Sequence, residues 1–273
     1  MPTQAEKFER FKALHQGPGP LVMANPWDAG SAKLLASLGF EALATSSAGF
    51  AFANGTLDSR ACLPREALLA NAAAIAAATA LPVSADLEDG FGAAPEACAE
   101  TIRLAAALGL VGGSIEDATG DPAQPLYPFE HAVERVRAAA EAAAGLPFLL
   151  TARAENFLCG QPDLADTIAR LQAFSAAGAQ VLYAPGLPSL DAIAQVCAAV
   201  DKPVNVVMGL SGPRYSVAQL AAAGVRRVSV GGSFARAALG ALMRAAREVR
   251  EHGTFEYAAE ALPGKVIVEL MGG

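Results

Sequence analysis

The sequence predicts an α/β fold, a single (β/α)8 barrel of the TIM type, on three observations. A strand-like run followed by a helical run recurs along the chain, giving eight strand candidates. Gly39, Gly109, Gly145, Gly178 and Gly224 stand where those helices would end on a C′ glycine. The stretch after the first strand, Asn25-Pro-Trp-Asp-Ala-Gly30, is not the GxGxxG that an open dinucleotide-binding sheet would need there. Strict alternation requires parallel strands with right-handed crossovers, and eight such units suit a closed barrel better than an open sheet.

In chain order, Thr3-Gln-Ala-Glu6 has the form of a capping box. Phe8, Phe11 and Leu14 fall on one face of the helix it opens, which should cover the N-terminal end of the barrel. The strand candidates are Leu21–Trp27, Ala42–Ser47, Pro82–Glu88, Gly112–Asp117, Phe148–Asn156, Val181–Pro185, Pro203–Met208 and Arg226–Gly232. Pro64, Pro95 and Pro128 suit first-turn positions of the intervening helices, and Ser216-Val-Ala-Gln219 is a second capping box. Asp28 is expected to cap the helix that follows the first strand, with Trp27 as packing. After the eighth strand a long amphipathic helix is expected over Phe234–Glu251. A segment Thr254–Leu270, broken at Gly264, and a fraying Gly272-Gly273 tail follow it.

The composition is that of a folded protein. Of 273 residues 53% are apolar and 17% charged, enough to bury a full core. The net charge of −7 disfavours a nucleic-acid or anionic-membrane surface. The longest apolar stretch, about Ala72 to Ala85, is interrupted by Thr79 and Pro82 and falls short of the ~20 residues of a membrane span. The charged N-terminal segment has no apolar h-region, so a cytoplasmic location is expected. Cys62, Cys98, Cys159 and Cys197 are too far apart in sequence for a CxxC pair and are expected as free thiols.

In a barrel the active site lies at the C-terminal strand ends. Four consecutive candidates end in polar groups: Thr45-Ser-Ser-Ala-Gly49, Asp86-Leu-Glu-Asp-Gly90, Glu116-Asp117 and Arg153-Ala-Glu-Asn156. Asp86, Glu88 and Glu116 at neighbouring strand ends would repel one another unless a cation sits among them, and one arginine, Arg153, cannot neutralise all three. Hard oxygen ligands point to Mg2+ or Mn2+ rather than zinc. Ser46, Ser47 and Gly49 form a small turn able to aim hydroxyl and N–H donors at a carboxylate. His15, His131 and His252 fall in or near helices, so neither Ser46 nor Ser47 has a histidine base and a serine-hydrolase triad is excluded.

These pieces resemble the isocitrate lyase/phosphoenolpyruvate mutase superfamily. The resemblance runs from Asn25 to about Gly232. Besides the segments already quoted it includes Gly55, Asp58, Asp86-Leu-Glu-Asp-Gly-Phe-Gly92, Ala152-Arg-Ala-Glu155 and Tyr183-Ala-Pro-Gly186. It implies a barrel whose last helix is exchanged with a neighbouring subunit, within a homotetramer built as a dimer of dimers. Gly253-Thr-Phe255 and the final helix would serve that swap. It implies Mg2+ held by Asp86, with Asp58, Glu88 and Glu116 acting largely through water. Ser46, Ser47, Ala48 and Gly49 would bind the carboxylate of a small 2-oxo acid, and Arg153 would contact its oxygen. Asn205 matches a position near the far end of the substrate, and Arg214 is expected to meet a second carboxylate.

The sequence departs from the family where the isocitrate and methylisocitrate lyases carry a loop cysteine. Ala118-Thr-Gly-Asp-Pro-Ala-Gln-Pro-Leu-Tyr127 stands there instead, and Ala184 replaces the histidine of the phosphonopyruvate mutases. Tyr127, Tyr183 and Cys159 are the nearest substitute proton donors. The expected activity is a Mg2+-dependent C–C lyase acting next to a small 2-oxo acid of the oxaloacetate type, with Arg153, Glu116 and Asp58 as catalytic groups. C–P bond chemistry on phosphonopyruvate and a non-catalytic 2-oxo acid binding protein are the alternatives.

Overall fold

The structure, a computed structural model, describes residues 1–58 and 63–272. Eight parallel strands alternate with helices: α1 (Gln4–Leu14), β1 (Leu21–Met23), α2 (Ala29–Ser37), β2 (Leu43–Ala44), α3 (Ser47–Ala53), α4 (Arg65–Ala77), β3 (Val83–Asp86), α5 (Pro95–Ala107), β4 (Gly112–Glu116), α6 (Phe129–Ala143), β5 (Leu149–Arg153), α7 (Leu164–Ala176), β6 (Val181–Tyr183), α8 (Leu190–Ala199), β7 (Val204–Val207), α9 (Val217–Ala222), β8 (Arg227–Ser229), α10 (Ser233–His252) and α11 (Gly264–Gly272). From β2 to β8 each strand pairs with the next in sequence, and β1 pairs with β8 through Leu21–Arg227 and Met23–Ser229. A parallel bridge from Ala24 to Leu43, with Ala44 N donating to Ala24 O at 3.0 Å, joins the remaining edges into a (β/α)8 barrel.

The start signals work as local chemistry predicts. Thr3 and Ser216 make both bonds of a capping box, and Asp28 Oδ1 accepts from Ser31 N at 2.6 Å. The five glycines named as helix ends all take positive φ, from 78° to 111°, where a side chain would be strained. Pro95 occupies the first turn, whereas Pro64 and Pro128 sit one residue earlier, at the N-cap.

Phe11 is fully buried and packs with Leu21, Ala42, Val111, Leu149 and Val181, at or just before strand beginnings, and with Met23 of β1. The N-terminal helix therefore seals the floor of the barrel. The larger core fills the space between sheet and helices and leaves the opposite end for polar groups.

Several expected boundaries shift. The strands are shorter than anticipated; β3 stops at Asp86 because Glu88 turns into the left-handed region at φ 49°. The Ser46–Gly49 segment is a helix start rather than a free turn. Gly264 begins a helix instead of breaking one, and Gly272 belongs to it. Cys98, Cys159 and Cys197 are free thiols; Cys62 and Gly273 lie outside the described residues. Among the described residues no helix is long and apolar enough to cross a membrane.

Candidate active site

The ends of β2 to β8 surround a cavity of about 370 Å³ at the C-terminal mouth of the barrel. Arg153, the last residue of β5, stands at its centre. Its Nη1 lies 3.1 Å from Asp86 Oδ1 and 3.2 Å from Glu116 Oε2, and its Nε donates to Glu155 Oε1 at 2.7 Å. The guanidinium also lies 4.9 Å from the centroid of the Tyr183 ring. Parallel register places these groups together: Glu116 pairs with Arg153, and Arg153 with Tyr183.

Ser47 Oγ donates to Asp86 Oδ2 at 2.9 Å and lies 3.4 Å from Asp58 Oδ1. Ser46 is the N-cap of α3, its Oγ accepting from Gly49 N at 3.0 Å. The N–H groups of Ser47 and Ala48 in that first turn have no intrahelical acceptor, and both residues line the cavity. Gly49 is required by packing: a Cβ there would stand 2.7 Å from Trp27 Cβ and 3.2 Å from Ala235 Cβ.

The loop after β3 is held from behind. Arg135, buried to 1% exposure, lies over the Tyr127 ring and donates to the carbonyls of Asp89, Gly92 and Ala93. A Cβ on Gly90 would meet Cys98 Sγ at 2.8 Å, so this loop closes only with glycine there. Behind β5, Asp117 Oδ1 accepts from Glu155 N and Asp117 Oδ2 pairs with Arg170, fixing the strand that carries Arg153.

The electrostatics show excess negative charge. Glu88 Oε2 is buried without a hydrogen-bond partner, and burial together with Asp86, Asp58 and Asp89 pushes the Glu88 carboxyl up to about 8. Burial, then Asp86, raises Asp58. Burial also raises Glu116 well above its ordinary value, with Arg153 opposing. Burial works against the charge on Arg153, but Glu155, Glu116 and Asp86 outweigh it and hold the guanidinium firmly protonated. Among the described residues no three or more His, Cys, Asp or Glu side chains are gathered as a ready-made metal shell. The donors available are hard carboxylate oxygens at Asp86, Glu88, Glu116 and Asp58, and Glu88 Oε2 has no hydrogen-bond partner from the protein. This set fits an ion that takes few direct protein ligands and keeps most of its water, as Mg2+ does.

Ser46, Ser47, Ala48, Asp58, Asp86, Glu88, Glu116 and Arg153 all line this one cavity. Asn205 lies below them, in a smaller cavity of about 60 Å³ inside the barrel. Its Nδ2 donates there to Ser229 Oγ at 3.0 Å, and its Oδ1 accepts from Arg227 Nε at 2.9 Å. Arg214 is exposed and lines neither cavity. Tyr127 is buried, its hydroxyl donating to Asp89 Oδ2 at 3.1 Å, and is not part of the cavity wall. Cys159 also lies outside the wall, and burial pushes its thiol up to about 11, against use as a thiolate. Tyr183 does line the mouth. The 118–127 stretch is a small hairpin, bridged from Ala118 to Leu126, that brings Ala118 and Gly120 to the rim.

Three site residues were given no role by sequence reasoning. Arg236, in the first turn of α10, lines the mouth; its position in a helical pattern gave no sign of this. Glu155 is the closest partner of Arg153. Arg227 lies inside the barrel on a strand that otherwise alternates like its neighbours, and donates to Asn205, Thr151 and His15.

Comparison with known proteins places this geometry in a family. The model of the phosphoenolpyruvate phosphomutase family matches residues 11–250. A crystal structure from Burkholderia cenocepacia J2315, provisionally described as a lyase/mutase, superposes with a TM-score of 0.96 and 57% identity, covering 99% of this chain and 97% of that one. An uncharacterised Mycobacterium tuberculosis protein is 32% identical over 88% of this chain and 89% of its own length. An oxaloacetate decarboxylase of Chromohalobacter salexigens is 28% identical over 96% of this chain and 91% of its own. The chain thus belongs to the phosphoenolpyruvate phosphomutase family, within the isocitrate lyase/phosphoenolpyruvate mutase superfamily, whose lyase and mutase chemistry acts on small carboxylic acids.

Proposed function

We propose that this protein is a Mg2+- or Mn2+-dependent lyase that breaks a C–C bond next to a small 2-oxo acid, of which decarboxylation of an oxaloacetate-like acid is the simplest case. The observation that carries this reading is the convergence of Arg153, Asp86, Glu116 and the orphaned Glu88 on one cavity beside the first turn of α3. Asp86 would hold the ion directly, with Asp58, Glu88 and Glu116 reached through its water.

The chemistry supplied by a bound Mg2+ or Mn2+ is polarisation of the substrate's carbonyl oxygen. The chain's own residues do the rest. Ser47 and the N–H groups of Ser47 and Ala48 receive the substrate carboxylate, and Arg236 in the adjacent turn adds positive charge on that side. Arg153, locked by three carboxylates and the Tyr183 ring, donates to the oxygen on which charge develops. In decarboxylation the electron pair of the broken bond passes to the neighbouring carbon, CO2 leaves, and a proton from water completes the product. No loop cysteine is needed for that sequence.

The same reading includes exchange of C-terminal helices in a homotetramer. Leu239, Leu242, Met243 and Val249 stand exposed along α10, an apolar stripe that a partner would cover. The test of function is a Mg2+-supplemented panel of 2-oxo acids, 2-hydroxy tricarboxylates and phosphonopyruvate, assayed for pyruvate, glyoxylate and phosphate. Pyruvate or glyoxylate release supports the lyase reading. Dominant phosphate release assigns C–P chemistry instead, and binding without turnover assigns a binding protein.

A further inference from the structure

The wall of the mouth is divided by chemistry. Ser47, Asp86, Glu116 and Arg153 stand on the β2 to β5 side, whereas the opposite side, from the loop after β5 round to the loop after β7, is made of Leu158, Tyr183, Val207 and Leu210. A bound 2-oxo acid has three groups on its carbonyl carbon. In the reading above its carboxylate goes to the first turn of α3 and its oxygen to Arg153. The third group, the carbon that receives the electron pair of the broken bond, is thereby directed to the opposite side. Of the four side chains there, only Tyr183 carries a transferable proton.

We propose that the Tyr183 hydroxyl is the acid that delivers a proton to that carbon. The inference rests on the functional reading above and assigns the residue that takes the place of the missing loop cysteine. As the C–C bond breaks, its electron pair passes to the carbon next to the carbonyl and CO2 leaves. That carbon then forms a C–H bond as the Tyr183 O–H bond breaks, and the phenolate takes a proton back from water.

Tyr183 ends β6 in register with Arg153, so the two side chains leave neighbouring strands at one height, with the guanidinium 4.9 Å from the ring centroid. The Tyr183 side chain lines both the mouth and the cavity of about 60 Å³ beneath it, so the ring is a floor between them. Its hydroxyl makes no hydrogen bond among the described residues and, unlike Glu88 Oε2, is not a sealed atom. The other proton carriers are engaged or stand elsewhere. Ser47 donates to Asp86, Tyr127 donates to Asp89, and Cys159 is outside the wall. The carboxyls of Asp58, Glu88 and Glu116 gather on the side where the reading places the ion, and the Arg236 guanidinium does not give up its proton. Burial holds the Tyr183 hydroxyl protonated, while Arg153 and Arg227 favour the phenolate that transfer leaves, against Glu155 and Asp86. The cavity beneath, lined by Ser84, Ser114, Asn205 and Ser229, has room for about two waters to return the proton.

The test compares Tyr183→Phe with the parent in Mg2+-supplemented turnover of oxaloacetate, followed as pyruvate release, with oxalate affinity by calorimetry and melting temperature measured alongside. The expected result is a kcat lower by about 10²-fold or more, with the oxalate Kd within about twofold and the melting temperature unchanged. A difluorotyrosine placed at position 183 is a more acidic phenol of nearly the same shape. It should bring the fall of kcat at high pH to lower pH, which a packing role would not do. The proposal is overturned by a Tyr183→Phe kcat within about threefold of the parent, by a fall in kcat matched by an equal loss of oxalate affinity or of stability, or by a pH profile that fluorination leaves in place. If the parent turns oxaloacetate over and these results go against Tyr183, only the assignment of the acid fails. If the parent does not turn it over, the lyase reading fails as well.

Discussion

Arg153 and Asp86 meet at 3.1 Å across the barrel mouth, so the guanidinium of the site is already paired with the carboxylate proposed to hold the metal. The same guanidinium nitrogen lies 3.2 Å from Glu116, and the opposite edge holds Glu155.

Replacing Arg153 by Met leaves three acidic neighbours without their cation. Breaking a buried ion pair by removing one partner costs about 3–5 kcal/mol. We expect a fall of that order in unfolding free energy by denaturant titration, and loss of activity of about 10²-fold or more, since a donor to developing charge is gone. Excess Mg2+ should recover part of the stability and little of the rate. A variant with parent stability would show that the pairing contributes nothing.

Gly49→Ala tests whether the first turn of α3 is set by packing. The added methyl would stand 2.7 Å from Trp27 Cβ, so a backbone shift is unavoidable. Overpacking costs about 1–3 kcal/mol. The expected outcome is that loss of stability together with weaker oxalate binding, because Ser46 and Ser47 ride on the same turn.

Acid stability should report His15. Burial, and then Arg227, depress its pKa from 6.5 to about 4, while Phe11 O accepts from Nδ1 and Nε2 faces Arg227 at 3.5 Å. Because the folded value is lower, the unfolded chain takes up the proton first as pH falls. This contribution is complete above pH 6.5 and is lost progressively between 6.5 and 4. Melting temperatures at pH 7 and pH 5 should therefore drop more in the parent than in His15→Gln. Parallel drops would remove His15 as a source of acid sensitivity.

Light scattering tests the covering of α10. A mass well above the 27.7 kDa chain is expected, and Leu242→Lys with Met243→Lys should lower it. A strict monomer in the parent protein contradicts helix exchange.

Much of this was legible in the sequence, and the exceptions have physical causes. Helix caps such as Asp28 and Ser216, and helix-ending glycines such as Gly224, are decided by neighbours a few residues away, so they could be read directly. The acidic groups of the mouth could be placed because strand ends fix where they converge. Helix α3 was missed because Ser-Ala-Gly-Phe-Ala-Phe-Ala offers no polar face to show its period. The interior layer of Asn205, which lines a cavity that shares Asp86, Arg153 and Tyr183 with the mouth, was not legible because alternation along β7 tells inward from outward, not which layer a side chain reaches. That Arg236 borders the cavity and Arg214 does not was hidden for a similar reason: only the path of the loop after β7 and the docking of α10 decide it.

The most direct test of the account is turnover of oxaloacetate measured as pyruvate release, with Mg2+ and with EDTA, for the parent protein and for Asp86→Ala. The account predicts turnover in Mg2+ that EDTA abolishes and re-added Mg2+ restores, and that is absent in Asp86→Ala under every condition. Equal rates with and without EDTA, or an Asp86→Ala variant as active as its parent, would contradict it.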